Sequence, residues 1–170
     1  SEHSVNPATT SYFLRPDYVL NQYTGIYIVS RSNREKVFVM HKTVIKVRGY
    51  HLDLYQHVNN ARYLEFLEEA RWNYLEDSGD LAYFAQHKLA WIIANININY
   101  RDAAKMGDTL EISTCFSKIG SKSAVVKQVI TYQGSEKIVA DADITIVCLD
   151  IRTGKPLPIE GELRQRLEQQ

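Results

Sequence analysis

The sequence predicts an α+β fold in which an antiparallel five-stranded sheet wraps around one long central helix. Two observations carry that prediction. Only one long segment, residues 61–76, holds a sustained helical pattern, and it follows one strand-like run and precedes four. A doubly wound parallel sheet would alternate strand and helix repeatedly. Size agrees with one such domain, since 170 residues with 45% hydrophobic and 24% charged content lie in the range that buries a single core.

The opening stretch, to about Lys36, mixes Ser, Asn, Thr and Tyr and carries no firm pattern, with apolar runs at Gly25–Val29 and Val37–Met40. Met40 stands just before the first clear strand and is a candidate natural start, so residues 1–40 are expected to be an extension and 41–170 the folded domain. In Thr43–Arg48 β-branched residues alternate with charged ones, as in a half-buried strand that Gly49 ends. The helical segment places Tyr63, Phe66, Leu67, Ala70 and Tyr74 on one face, opposite Arg62, Glu65, Glu69 and Asn73. Asn59 or Asn60 supplies a side-chain oxygen to cap its start, and Asp77-Ser-Gly79 breaks it. Strands are expected at 90–100, 109–118, 123–132 and 138–151, read as a meander with glycine-bearing turns at 105–108, 119–121 and 133–135. Within 94–100 asparagine alternates with apolar residues, giving one buried and one polar face. Residues 160–170 suggest a short terminal helix. One helix covers only one face of such a sheet, so a homodimer or homotetramer is expected to cover the apolar remainder.

Twenty basic residues balance twenty acidic ones, which calls for no nucleic-acid or anionic-membrane partner. Cys115 and Cys148 lie in apolar alternating runs without the spacing of a disulfide scaffold or zinc site, which fits a reducing, cytoplasmic setting. Neither a signal peptide nor an apolar run of membrane-spanning length is visible. The histidines at 3, 41, 51, 57 and 87 show no helical ligand pairing, so no metal is expected.

Chemistry concentrates between Asp53 and Tyr63. Asp53-x-x-x-His57-Val58-Asn59-Asn60-x-x-Tyr63, followed by Glu68-Glu-Ala-Arg71, resembles the 4-hydroxybenzoyl-CoA thioesterase branch of the hotdog superfamily. Arg48-Gly-Tyr-His-Leu-Asp53, residues 56–72 and Asn95-Ile-Asn-Ile-Asn-Tyr-Arg101 are similar to the FadM-type long-chain subset, thioesterase III. The resemblance spans about His41 to Leu167 and implies hydrolysis of acyl-CoA, of medium to long fatty chains, to free acid and CoA without a cofactor, within fatty acid metabolism. It also implies that Asp53 attacks the thioester or activates water, and that the backbone N–H near Asn60 receives the oxyanion. Independent chemistry supports that pairing. A thioester carbonyl needs a nucleophile or base on one side and donors on the other, and a carboxylate just before a helix N-terminus brings both together. A loop aspartate that only caps or turns the chain is the plainer reading of Asp53.

His57 either steers Asp53, polarises water or fastens the loop through a ring hydrogen bond, with fastening the favoured role. Asn59 and Asn60 cap the helix, orient water or substrate, or do both, while Tyr63 is chiefly core. His51 and Gln56 depart from the branch pattern, which has Asp and Gly at those positions, and Gln56 lacks glycine's freedom at positive φ. Glu68 or Glu69 is the rival catalyst by analogy with a branch that uses a helix glutamate. For CoA, the turn Lys118-Ile-Gly-Ser-Lys-Ser123 offers Lys118, Gly120, Lys122 and Ser123 by resemblance, against a plain soluble hairpin, with Arg101 a weaker candidate. Phe66, Trp91 or Ile93 are candidates to line an acyl tunnel. Two other functions compete. Hotdog hydratases carry Asp-x-Asn-Pro-x-His, four residues between acid and imidazole against three here, and a non-catalytic acyl-CoA sensor would be expected to carry an output element such as a DNA-binding helix pair.

Overall fold

A computed structural model describes the backbone of residues 18–21, 26–31 and 34–39 and residues 40–169 in full. The chain separates into two compact units, Ser1–Val39 and Met40–Gln170. In the first, β1 (Tyr18–Asn21), β2 (Ile26–Arg31) and β3 (Arg34–Val39) pair in sequence order as an antiparallel sheet. The apolar runs at 25–29 and 37–40 fall largely within β2 and β3, where the sequence pattern had been too short to assign.

The second unit runs β4 (His41–Lys46), α1 (Asn60–Asp77), α2 (Asp80–His87), β5 (Leu89–Tyr100), β6 (Thr109–Ile119), β7 (Ala124–Tyr132), β8 (Ile138–Asp150), β9 (Lys155–Leu157) and α3 (Gly161–Glu168). Its strands are ordered β4-β6-β7-β8-β5, all antiparallel, with β9 pairing β8 beyond the point where β7 begins. The expected meander therefore holds only for β6, β7 and β8. After β4 the two helices carry the chain to the opposite edge, so β5 pairs with β8 and the 101–108 connection returns to β6. The sheet has six strands rather than five, β9 being three residues long. α2 was not expected either: eight residues are too few for periodicity to declare, and the chain re-enters helix through Gly79 at φ 76°.

α1 forms for the reasons its pattern implies. The Asn59 side chain caps it by accepting from Ala61 N–H at 2.9 Å. Tyr63, Phe66, Leu67, Ala70 and Tyr74 are buried, against a sheet face that includes Leu110, Ile112, Ile130 and Ile144, each 0% exposed. Each such aliphatic side chain contributes about 1.5–3 kcal/mol when removed from water. A polar residue interrupts this face: Gln128, fully buried, donates to Leu67 C=O and Thr114 Oγ1, both at 3.0 Å.

Two strands contain an irregularity that matters for the site. In β5 the pairing shifts at Ala94: Trp91 and Ile93 oppose Cys148 and Ile146, while Ile96 and Ile98 oppose Ile144 and Ala142. An extra residue in a strand reverses the face of everything before it. Trp91, Ile93, Ile96 and Ile98 thus all point to the helix side, although the numbers alone would put the first two with the asparagines. A second shift falls at Ser117 in β6. β5 is an edge strand, and Ile92 and Ile93 on it are 42% and 40% exposed.

Candidate active site

The loop before α1 is pinched by an isolated bridge between Leu52 and Val58. Inside it Asp53 N–H donates to His57 C=O at 2.8 Å and Gln56 N–H to Asp53 C=O at 3.1 Å. Asp53 Oδ1 accepts from the amides of Tyr55, at 2.8 Å, and His57, at 3.3 Å. That is the turn-forming use of a loop aspartate. It occupies one oxygen only: among the described residues Oδ2 has no hydrogen-bond partner. Asp53 therefore builds its loop with one oxygen and leaves the other without a partner among the described residues.

The helix start lies just beyond. Asn59, not Asn60, provides the side-chain cap, and its N–H donates to His51 C=O at 2.9 Å. Among the described residues the backbone N–H of Asn60 has no acceptor, as the first turn of a helix leaves it. Tyr100 Oη donates to Asn60 C=O at 3.0 Å, tying the far end of β5 to this turn. Tyr63 is 3% exposed, and its hydroxyl accepts from Ala104 N–H at 3.2 Å, so it belongs to the core as expected and also anchors the 101–108 connection. Val58 N–H donates to Ala104 C=O at 2.8 Å and completes that anchorage.

The fastening role expected of the His57 ring is corrected. Among the described residues that ring makes no hydrogen bond, and His57 holds the loop through its backbone. The ring that fastens is His51, which sequence reasoning noted only as a departure. It is 8% exposed, its Nδ1 accepts from Arg48 N–H at 2.9 Å, and it stands edge-on to Phe66 at 4.8 Å. Burial, then the charge of Arg62, lowers its pKa below the ordinary value of 6.5, so the neutral imidazole is the form that fits. Gln56 takes a positive φ of 61°, the conformation glycine would have supplied.

The turn proposed for CoA lies elsewhere in the chain. Gly120 N–H donates to Ser123 C=O at 2.8 Å, so it is not free for a phosphate, and a Cβ on Gly120 would stand 3.0 Å from that carbonyl oxygen. Lys118 and Lys122 are exposed and Ser123 is half-buried. Arg164, not foreseen, donates to the carbonyls of Gly120 and Ile119 at 3.2 and 3.3 Å and braces the turn. Arg101 is engaged by Asp141 at 2.6 Å. The Asp53 loop sits at the Thr109 end of β6 and this turn at the Ile119 end. The 11 residues of β6 span about 33 Å at the usual rise, so one chain does not bring Asp53 and the turn together.

A cavity of about 300 Å³ opens between α1, α2 and the sheet; Trp91 and Ile93 line it, while Phe66 packs against His51 and Tyr63. Of the rival carboxylates, both exposed, Glu68 borders this cavity and Glu69 does not. No helix among the described residues is long and apolar enough to cross a membrane.

Comparison with known proteins gives concordant results. The sequence profile of the Thioesterase-like superfamily matches residues 47–167. The long-chain acyl-CoA thioesterase FadM of Escherichia coli is 55% identical over 128 residues, covering 75% of this chain and 97% of that protein. The acyl-CoA thioesterase YbgC of Haemophilus influenzae is 27% identical over 109 residues, 63% of this chain and 79% of its own. The crystal structure of YbaW, a probable thioesterase from Escherichia coli, superposes with a TM-score of 0.72 at 55% identity, covering 75% of this chain and 96% of that one.

Proposed function

The chain belongs to the Thioesterase-like superfamily, and we propose on that premise that it hydrolyses medium- to long-chain fatty acyl-CoA to the free acid and CoA, with Asp53 as the reacting carboxylate. It is an acyl-CoA thioesterase of the hotdog fold, and the likeness to FadM supports the chain-length range. One observation carries the assignment of roles: among the described residues Asp53 Oδ2 and the Asn60 N–H both lack a hydrogen-bond partner, and both belong to the short segment that leads into α1. The amide receives the developing oxyanion, where a fixed donor at a helix start is worth most. Asp53 acts in one of two balanced ways. Its oxygen bonds to the carbonyl carbon as the C–S bond breaks and CoA thiolate departs, leaving a mixed anhydride for water to cleave, or it takes a proton from the water that attacks.

The working unit in this reading is a homodimer, or a homotetramer built from it, joined along β5. Two β5 edges paired antiparallel about a two-fold axis at mid-strand bring the Tyr100 end of one copy beside the Leu89–Trp91 end of the other. The Asp53 loop of one copy then faces the cavity of the other and approaches its 118–123 turn, where Lys118, Lys122 and Ser123 are proposed to meet CoA, with Gly120 giving the turn its shape. The exposed isoleucines of β5 support such pairing. Residues 41–170 form the catalytic domain in this proposal and 1–40 an extension to it. Free, buried Cys115 and Cys148 agree with a reducing, cytoplasmic setting.

The test is CoA release from acyl-CoAs of graded length by the native chain and by Asp53→Asn and Asp53→Ala. Both variants are expected to lose at least about a hundredfold in kcat, the scale of a lost acid–base or nucleophilic group, with circular dichroism unchanged. Undiminished turnover by folded Asp53→Ala would refute the role of Asp53. Label found in the Asp53 carboxyl after single turnover in H₂¹⁸O would assign the anhydride route, since it enters that carboxyl only by water cleaving the anhydride on the Asp53 side. Light scattering that returns a monomer would remove the composite site.

A further inference from the structure

The cavity between α1, α2 and the sheet has an apolar wall made by Trp72, Leu75, Leu81, Phe84, Trp91 and Phe116. At roughly 30 Å³ per water-sized group, its volume of about 300 Å³ takes an aliphatic chain of about ten carbons. One cation interrupts the wall. Arg71 borders the cavity half-buried, and its Nη1 donates to Gln128 Oε1 at 2.9 Å. The amide of Gln128 has no freedom to turn away, because its Nε2 is held by Leu67 C=O and Thr114 Oγ1 inside the core. The guanidinium is thus fixed in place by a buried, fully bonded support.

Its charge is only partly balanced there. Among the described residues Arg71 makes no salt bridge; Glu68, one turn earlier on the same cavity rim and solvent-exposed, acts on it electrostatically without forming an ion pair. Burial lowers the pKa of the guanidinium below its ordinary value, and the nearby Glu68 carboxylate offsets only part of that. A half-buried charge without a partner is costly, and guanidinium presents parallel N–H donors that match a carboxylate. The complement of one fixed guanidinium in a mainly apolar chamber is an amphiphile with an anionic head and a hydrocarbon tail.

We propose that this cavity binds a free fatty acid, with the carboxylate on Arg71 and the tail along Leu75, Leu81 and Phe84. The inference deepens the thioesterase reading, from which the acid arises as product, and makes Arg71 the residue that retains it. A distal carboxylate on the acyl chain of a substrate presents the same chemistry from another source.

Titration calorimetry of the full chain with dodecanoate and with dodecanol at pH 8 tests it. The native protein is expected to bind the acid at least about tenfold more tightly than the alcohol, the scale of a charge-assisted pair. Arg71→Gln should bring the two within about twofold while still binding the alcohol, and Arg71→Lys should keep part of the preference. Leu81→Trp, which fills the tail end, should weaken both ligands together. Equal binding of acid and alcohol by the native protein, a preference that survives in Arg71→Gln, or affinity unmoved by Leu81→Trp would each overturn the proposal. Should Arg71→Gln bind neither ligand, Arg71→Lys decides: alcohol binding without acid preference overturns it. Native turnover of dodecanedioyl-CoA faster than dodecanoyl-CoA, reversed in Arg71→Gln, would assign the cation to a substrate's distal carboxylate and refute product binding. Retained acid preference with no hydrolysis of any acyl-CoA would instead sink the thioesterase reading and leave this site standing.

Discussion

Replacing Gln56 by glycine should make the protein more stable. Gln56 is exposed and stands at φ 61°, three residues after Asp53. A side chain in the left-handed region costs about 1–2 kcal/mol from the contact of Cβ with the following carbonyl. Glycine removes that cost but adds about 0.5–1 kcal/mol of unfolded-state entropy. The balance is a gain of about 0.5–1 kcal/mol, or about 1–4 °C in melting temperature for a domain of this size. The side chain is not a member of the hydrogen bonds that hold Asp53, which come from the amides of Tyr55 and His57. Activity should therefore change by less than about twofold. Gln56→Val, whose branched Cβ suits positive φ even less, should lose stability by at least as much as glycine gains. The assay is urea unfolding followed by circular dichroism, beside CoA release. A destabilised Gln56→Gly, or a Gln56→Val indistinguishable from the native protein, would mean that the backbone at this position does not lie in the left-handed region and that the loop path around Asp53 is wrong.

His51 links the same loop to pH. Its folded-state pKa lies below the unfolded value near 6.5, so its neutral form contributes stability in full above about pH 6.5; that contribution is lost as pH falls from there through the lowered folded value. The stability difference between the native protein and His51→Gln should consequently shrink in acid, and parallel urea midpoints from pH 8 to pH 5 would contradict it. Tyr63→Phe leaves Ala104, which is 0% exposed, with an N–H that has lost its acceptor. A loss of about 1–3 kcal/mol is expected in the same unfolding assay, and a change of under a few tenths would show that water or a relaxed loop replaces the hydroxyl.

How far the sequence is legible depends on the range of the force at work. The α1 face could be read at Tyr63, Phe66, Leu67, Ala70 and Tyr74 because burial on one helix side is a local periodicity. The reading of Asp53 and the helix entrance rests on local rules too, and the geometry adds that Oδ1 is spent on the turn while Oδ2 has no partner among the described residues. Strand order was not legible: nothing within 90–100 says that its hydrogen bonds go to β8 rather than β6, because pairing is decided by the chain path across α1 and α2. The exchange of roles between His51 and His57 escaped for a related reason. Which ring is buried depends on Phe66, one helical turn beyond Arg62, and not on either histidine's neighbours in sequence. Arg71 was visible in the motif but silent as a group, since its support, Gln128, lies 57 residues away.

The extra residue at Ala94 divides β5 into two lengths of strand whose facing is set separately. Beyond it, Ile96 to Tyr100 are committed to the core and to the Asn60 carbonyl. Before it, Trp91 and Ile93 border the cavity, Trp91 also packing against Phe84 and Phe116. In the proposed function, residues on the first length can therefore be exchanged to suit acyl chains of another girth without disturbing the proposed reaction site at the helix entrance. The bulge then gives this architecture a seam along which substrate range can diversify apart from the proposed chemistry.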